Sequence, residues 1–268
     1  MAGLIGIGLT GILSQQAALN TTGNNITNAN TPGYSRQEVL FETQEGQRTG
    51  AGTIGSGVSV ADIRRLANEY LVQQGREDST RYGEQQALNS ELSRLDNLLG
   101  GENTGLSNAL NNFFASLQNA AEDPTSLPQR QLVLSEAQQV VNRFQALNQE
   151  FIQQRESIKT QMQQGAADAN TLLKSIAELN LAISESPGLA QGRMPNELMD
   201  KRDEALRKLS ELVNVRGTES EGSQANVSLA NGQALVVGSN ASQLGTRTSP
   251  EDPVRLQFTL TAGGRTMG

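Results

Sequence analysis

Three features of the sequence predict a mainly α chain with a smaller β part. Long antiparallel coiled-coil-like helices are expected to form a rod-shaped bundle, followed by the start of an antiparallel β region. Between residues 88 and 213 apolar side chains recur at steps of three and four, the spacing of helix seams. After Val213 the period falls to two, and Asn231-Gly232 separates two apolar runs. Aromatic residues make up only 3% of the chain, so a core must be built from Leu, Ile, Val and Ala. Aliphatic seams between helices suit that inventory better than a globule packed around large rings.

The first element is the apolar run Leu4 to Leu13. Its length resembles the apolar part of a signal peptide, but the first basic residue is Arg36 and no small-x-small cleavage site follows. It is also too short for a bilayer, which needs about twenty residues. A helix fits better, because Ile5, Leu9, Ile12, Leu13, Leu19 and Ile26 fall largely on one stripe. Gly3, Gly6, Gly8 and Gly11 each cost about 1 kcal/mol relative to Ala inside a helix. Such a helix is expected to become ordered only against partners, with the six stripe residues as a subunit interface. The plainer alternative is a frayed, partly exposed terminal helix.

The middle of the chain reads as heptad helices. Leu88, Leu92, Leu95 and Leu99 form one seam, stopped by Gly100-Gly101. Leu106, Leu110, Phe113, Phe114 and Leu117 mark a shorter amphipathic helix. Ser126 to Gln129 reads as a capping box, with Pro128 tolerated in the first turn. Val133, Ala137, Val140, Phe144, Leu147, Phe151, Gln154, Ile158 and Gln161 then keep one register. Leu172, Ile176, Leu179 and Ile183 repeat it, ending near Ser186-Pro187-Gly188. Leu198, Ala205, Leu206, Leu209, Leu212 and Val213 supply a last helix. The other faces are crowded with Gln, Asn, Glu and Arg. Such faces suit rods that meet further copies, and equally an ordinary bundle with solvated surfaces.

Val227-Ser228-Leu229 and Leu235-Val236-Val237 flank Asn231-Gly232, which predicts a two-residue type I′ hairpin. Val254, Leu256, Phe258 and Leu260 alternate with Arg255, Gln257 and Thr259 as a half-buried strand. Gly263-Gly264 turns the chain toward a further strand, so the sheet is expected to continue in a longer protein. Three segments follow: 1–56 as an N-terminal helix and connector, 57–213 as a helical rod, and 214–268 as the start of a β-rich region.

Composition narrows the chemistry. With no His and no Cys, the chain has no Ser-His-Asp triad, no Cys-His pair and no thiolate or imidazole ligand for zinc. A net charge of -7 argues against a nucleic-acid surface. Glu197, Asp200, Asp203 and Glu204 lie within two helical turns and admit a metal site or a hydrolytic pair. Lys201, Arg202, Arg207 and Lys208 are interleaved with them, so local ion pairing is the cheaper reading. The glycines at 50, 52, 55 and 57 lack the Lys-Ser/Thr ending of a phosphate loop and read as a flexible connector. No enzyme, no cofactor, no catalytic or metal residue, no nucleic-acid partner and no membrane insertion are expected.

The stretch Asn25-Ile26-Thr27-Asn28-Ala29-Asn30-Thr31-Pro32-Gly33-Tyr34-Ser35-Arg36-Gln37 resembles the N-terminal signature of the axial proteins of the bacterial flagellum. The family pattern is Asn-Ile-Ala-Asn, two residues, then Thr-x-Gly-Tyr, with Thr27 replacing the Ala here. Asn25, Asn28, Thr31, Pro32, Gly33, Tyr34 and Arg36 carry the motif. Its chemistry suits a fixed hinge, in which Pro and Gly turn the chain and Asn and Thr satisfy backbone groups. Tyr34 is either a recognition aromatic or a wedge packing the turn. Gly55 to Val60, Phe113 to Gln118 with Glu122-Asp123-Pro124, Leu198 to Asp203, and Ala230 to Gly232 with Leu235-Val236 resemble the hook-associated branch of that family.

The resemblance implies a structural subunit joining hook to filament by helical packing. Its partners would be copies of itself, the hook protein on one side and the next hook-associated protein on the other. Export would be unfolded, through the flagellar type III apparatus with a chaperone and no cleaved signal peptide, to an extracellular position. Family members pair a C-terminal helix with the N-terminal one, and no such helix follows the strands before Gly268. Another axial protein, of hook or distal rod, is the nearer alternative. A carboxylate-dependent hydrolase centred on Glu197 and Asp200 is the alternative from a different class.

Overall fold

A computed structural model describes residues 3–50, 52–100, 106–219, 224–252 and 254–267. The elements run α1 (Leu4–Thr27), β1 (Gln37–Thr43), β2 (Gln47–Thr49), β3 (Gly52–Ile54), β4 (Val58–Arg65), α2 (Glu69–Gly100), α3 (Leu106–Glu122), α4 (Leu127–Ser184) and α5 (Asn196–Leu212). The strands β5 (Val215–Glu219), β6 (Ala225–Leu229), β7 (Ala234–Val237), β8 (Asn240–Ala241), β9 (Gln243–Thr248), β10 (Leu256–Ala262) and β11 (Arg265–Met267) follow. Helix dominates, the paired strands run antiparallel, and the expected fold class stands. Two compact units interleave along the chain. The first takes Met1–Arg81, Ala167–Gly245 and Phe258–Gly268, and the second takes Tyr82–Ala166 and Thr246–Gln257.

The first unit holds most of the buried core. Ala169, Leu173, Ile176, Ala177 and Ile183 of α4, Met199, Ala205, Leu206 and Leu209 of α5, and Val227, Leu235 and Val236 of the sheet β5-β6-β7-β8 are buried. Burial of such a side chain is worth about 1.5–3 kcal/mol. Amid these apolar groups α4 buries Asn180. Its Nδ2 donates to the carbonyls of Ala225 (2.8 Å) and Gly238 (2.7 Å), while its Oδ1 accepts the Ala225 N–H at 3.0 Å. Ten residues earlier Asn170 bonds both the N–H and the carbonyl of Leu244, each at 2.7 Å. Elsewhere in this unit β1 and β4 form an antiparallel ribbon, from Gln37 opposite Arg65 to Thr43 opposite Val58.

The second unit has a thinner interior. Leu147, Ala166 and Ser116 are buried, and the Ser116 hydroxyl donates to the Phe113 carbonyl at 2.7 Å. The Gln154 amide of α4 donates to the Glu91 carboxylate of α2. Leu95, Leu98, Leu110 and Phe113 are half-buried.

Several expected positions differ. Leu88, Leu92 and Leu99 are about half exposed, leaving Leu95 as the half-buried member of that seam. Phe114 and Leu117 also face outward. The two register blocks after Ser126 belong to one helix of 58 residues. Along it Phe144, Phe151, Ile158 and Gln161 leave the inward line, which passes through Leu147, Gln154, Met162, Ala166 and Ala169. A 3.6-residue turn drifts about 20° per heptad from a strict seven-residue repeat, so a register extrapolated from Val133 slides off the buried face.

The hairpin after Leu229 has a three-residue loop rather than the expected two-residue turn. The Gly232 N–H reaches the Leu229 carbonyl, the Leu229 N–H reaches the Gln233 carbonyl, and Gly232 takes the left-handed φ of 88° that closes such a loop. Val254 and Phe258 are exposed, whereas adjacent Thr259 and Leu260 are both buried, so alternation fails there. The expected connector at residues 50–57 contains β3, paired with β2. The expected stop at Gly101 lies outside the described residues.

Replacing Asn180 by Ala should lower unfolding free energy by about 3 kcal/mol, because buried backbone groups of Ala225 and Gly238 lose their partners. Asn180→Asp should cost more, since a carboxylate would face two carbonyls. Urea denaturation of the three chains measures both.

Candidate functional site

The motif residues form a hydrogen-bonded turn at the end of α1. The N–H of Asn28 closes the helix on the Asn24 carbonyl at 3.0 Å. The Asn28 side-chain amide also donates to that carbonyl (3.1 Å) and to Asn24 Oδ1 (2.8 Å), while the Thr31 hydroxyl donates to Asn28 Oδ1 at 3.2 Å. Asn25 makes the longer reach. Its Oδ1 accepts the Tyr34 hydroxyl (2.8 Å) and the Gln37 N–H (2.9 Å), and its Nδ2 donates to the Gln37 carbonyl at 2.8 Å. Helix end, turn and first residue of β1 are thereby joined by one side chain.

Tyr34 is half-buried and its hydroxyl is engaged inside the turn, as expected of a packing wedge. Loss of solvent and the nearby Asp200 charge both raise its pKa. Pro32 and Arg36 are exposed, and the Arg36 carbonyl accepts the Leu66 N–H at 2.8 Å. Gly33 has φ +80°, and a Cβ built there would stand 2.7 Å from Glu204 Cβ. The turn therefore rests directly on α5.

The carboxylates of α5 divide by face. Glu197 pairs with Lys201 at 2.8 Å, and Glu204 pairs with Arg207 (2.8 Å) and Lys208 (3.7 Å), as local ion pairing predicts. The hydrogen bond and charge of Lys201 lower the Glu197 pKa, and chiefly the Arg207 hydrogen bond lowers that of Glu204. Asp200 and Asp203 instead reach Arg65 of β4, at 3.0 and 2.7 Å. The second oxygen of Asp200 accepts the Ser35 N–H at 3.1 Å. Burial opposes the Arg65 charge, but hydrogen bonds and charge from Asp203 and Asp200 outweigh it and raise its pKa.

The Arg65 contact with Asp200 was not readable from the sequence. Only the i, i+3 spacing of Asp200 and Asp203 on one helix face hinted at a shared cation.

This arrangement does not favour a hydrolytic pair. Glu197 lies at the surface beside Lys201, and both Asp200 oxygens are occupied. Among the described residues no group of three or more Asp or Glu side chains is placed to hold a metal ion. An open cavity of about 1200 Å³ beside the turn is walled by residues that include Pro32, Tyr34, Val60, Leu179 and Leu198.

The stripe of α1 faces outward along its whole length. Ile5 (87%), Leu19 and Ile26 (72%) are the most exposed of the stripe, and Leu9, Ile12 and Leu13 are more than half exposed. On the opposite face, where Ile7, Ala17 and Ala18 are half-buried, Thr10 and Ser14 meet the β1–β4 ribbon. Thr10 Oγ1 accepts the Val58 N–H at 3.4 Å, and the buried Ser14 hydroxyl lies 3.5 Å from the Val58 carbonyl. A Cβ at Gly57 would collide with Thr10 Oγ1, so glycine lets the helix approach the strand. No helix among the described residues is long and apolar enough to cross a membrane.

Gly33→Ala should cost roughly 1–2 kcal/mol for the left-handed backbone, plus the displacement of Glu204. Thermal unfolding should show a lowered Tm, whereas Ala at the exposed, uncrowded Gly23 should leave it unchanged or slightly raised.

The chain is similar to known proteins. The family described as the flagellar hook-associated protein FlgK helical domain matches residues 92–267, and the flagella basal body rod protein family matches residues 7–34. The chain is 34% identical over 258 residues to flagellar hook-associated protein 1 of Salmonella typhimurium, covering 95% of this chain and 46% of that protein. It is 29% identical to the Bacillus subtilis protein of the same name, covering 87% and 48%. A solved structure of the flagellar hook junction protein FlgK from Burkholderia pseudomallei superposes with a TM-score of 0.60 at 33% identity, covering 73% of this chain and 34% of that one. The chain thus spans about half the length of the curated relatives it matches. On these matches, and on the turn that binds α1 to β1 and α5, the chain belongs to the flagellar hook-associated protein FlgK family.

Proposed function

We propose that this chain is a structural subunit of the bacterial flagellum, working as an adaptor between hook and filament through helical subunit packing. The observation that carries the reading is the orientation of α1. Its opposite face meets its own β1–β4 ribbon through Thr10 and Ser14, and Ile5, Leu9, Ile12, Leu13, Leu19 and Ile26 are left facing out. A contiguous apolar stripe of this kind marks an interaction surface.

In this reading residues 1–56 are the inner-tube segment, 57–213 the helical rod and 214–268 the beginning of the β-rich part. The Gln- and Asn-rich outer faces of α2 and α4 make the next lateral contacts with other copies. Hook protein lies on one side and the next hook-associated protein on the other. The chain reaches this extracellular place through the flagellar export apparatus, with an export chaperone, and carries no catalytic role. The relatives' names and the rod-protein match over residues 7–34 support it.

Ile12→Gln with Leu19→Gln should change the stability of the isolated chain by no more than about 0.5 kcal/mol, because both side chains are exposed. The same pair should abolish formation of hook–filament junctions in cells. Deletion through Leu19 should do likewise while circular dichroism still reports the middle helices. Junctions completed by either chain would defeat the reading.

A further inference from the structure

We propose that Asp200 is a positioning residue for assembly, whose carboxylate locks the Asn25–Arg36 turn onto α5 and β4 and so sets the direction of α1. Three observations lead there. The hydrogen bonds of α1 to its own ribbon come from Thr10, Ser14 and Asn25, beside Ile7, Ala17 and Ala18, which are only half-buried. At the C-terminal end Asn25 joins turn and helix, so the direction of α1 depends also on how that turn is held. That piece touches α5 through the Gly33–Glu204 approach and the Ser35 N–H bonded to Asp200, 165 residues away in sequence.

Asp200 suits this task because its two oxygens serve different elements. Oδ2 accepts from the Ser35 backbone and Oδ1 from Arg65 of β4, and the side chain is only 8% exposed. Both neighbours are donors, so the site requires an acceptor on each side. Asparagine has the same shape but must turn its NH2 toward one of the two donors. Asp203 is the natural control. It also bonds Arg65, at 2.7 Å, and no bond joins it to the turn.

The inference rests on the reading of α1 as the assembly face only for what its direction is used for. The lock itself is an intrachain property and is tested on the isolated full chain. The sequence has no cysteine, so Gln16→Cys and Glu178→Cys, both at exposed sites, accept spin labels without competition. Electron-electron distance measurements should give a narrow distribution in the parent and in D203N, and a broad or displaced one in D200N. Hydrogen exchange at the Ser35 amide should be at least about tenfold faster in D200N than in D203N.

A purely stabilising role for the ion pair predicts equal effects, since each variant removes one of the two carboxylates bonded to Arg65. A narrow distribution in D200N, or equal broadening in both variants, overturns the proposal. Should D200N lose helix content, Ser35→Pro, which removes the Ser35 N–H while leaving Asp200, Asp203 and Arg65 in place, should broaden the distribution, and a narrow result there overturns it too. Junction formation by stripe variants tests the assembly reading separately, so the two can fail independently.

Discussion

An asparagine side chain carries a donor and an acceptor spaced much as in a peptide group, and among the described residues this chain uses that fact three times. Asn25, Asn170 and Asn180 each bond both the N–H and the carbonyl of one residue at the start of a strand: Gln37 of β1, Leu244 of β9 and Ala225 of β6. Each amide stands in for a neighbouring strand over one residue, and each joins a helix to a strand that helix packing alone would not hold in register. Asp offers no donor and Leu neither group, so neither could replace the amide. With aromatics at 3%, there are few large rings to fix these junctions by shape. Directional bonds do so instead, and the rest of the first unit is arranged around them.

The same preference explains the unusual packing of α1. A net hydrogen bond is worth about 0.5–1.5 kcal/mol, less than the roughly 1.5–3 kcal/mol available from burying one Leu or Ile. Within the isolated chain, turning Thr10 and Ser14 inward therefore forgoes stability that the opposite face could supply. The outward stripe keeps that free energy unspent until something covers it. Glycines at 8 and 11, with open space around them, weaken the helix further on its own.

Helices were legible in the sequence because their signal is local. The spacings around Leu95, Ile176 and Leu206 and the proline-tolerant start at Ser126 need only a few neighbouring residues to interpret. Register over long distances was less legible: of one expected register on the 58-residue α4, Leu147 is buried and Gln154 half-buried, whereas Phe144, Phe151, Ile158 and Gln161 are exposed. The motif from Asn25 to Tyr34 was readable as a turn, and its contacts with Asn28 and Thr31 follow from short range. Its anchoring was not. Ser35 meets Asp200 and Arg65 meets Asp203 across more than a hundred residues, and the local charge pattern, which pairs Glu197 and Glu204 with their neighbours, pointed to neither. β1 was missed because Gln37 to Thr43 pairs with β4 beyond a loop that itself forms a hairpin.

Arg65, Asp200 and Asp203 are mostly shielded from solvent, and placing charges there carries a desolvation cost that their attraction does little more than offset. Apolar residues of similar volume would give comparable stability. What they would not give is direction. A guanidinium bonded to carboxylates at two positions of α5 fixes how β4 lies on that helix, and the remaining Asp200 oxygen fixes the turn. Hydrophobic contacts tolerate sliding, whereas an acceptor placed between two donors does not. An element that leaves its apolar side for others must present that side at a defined angle, and a polar lock can hold the angle without consuming any of the apolar surface.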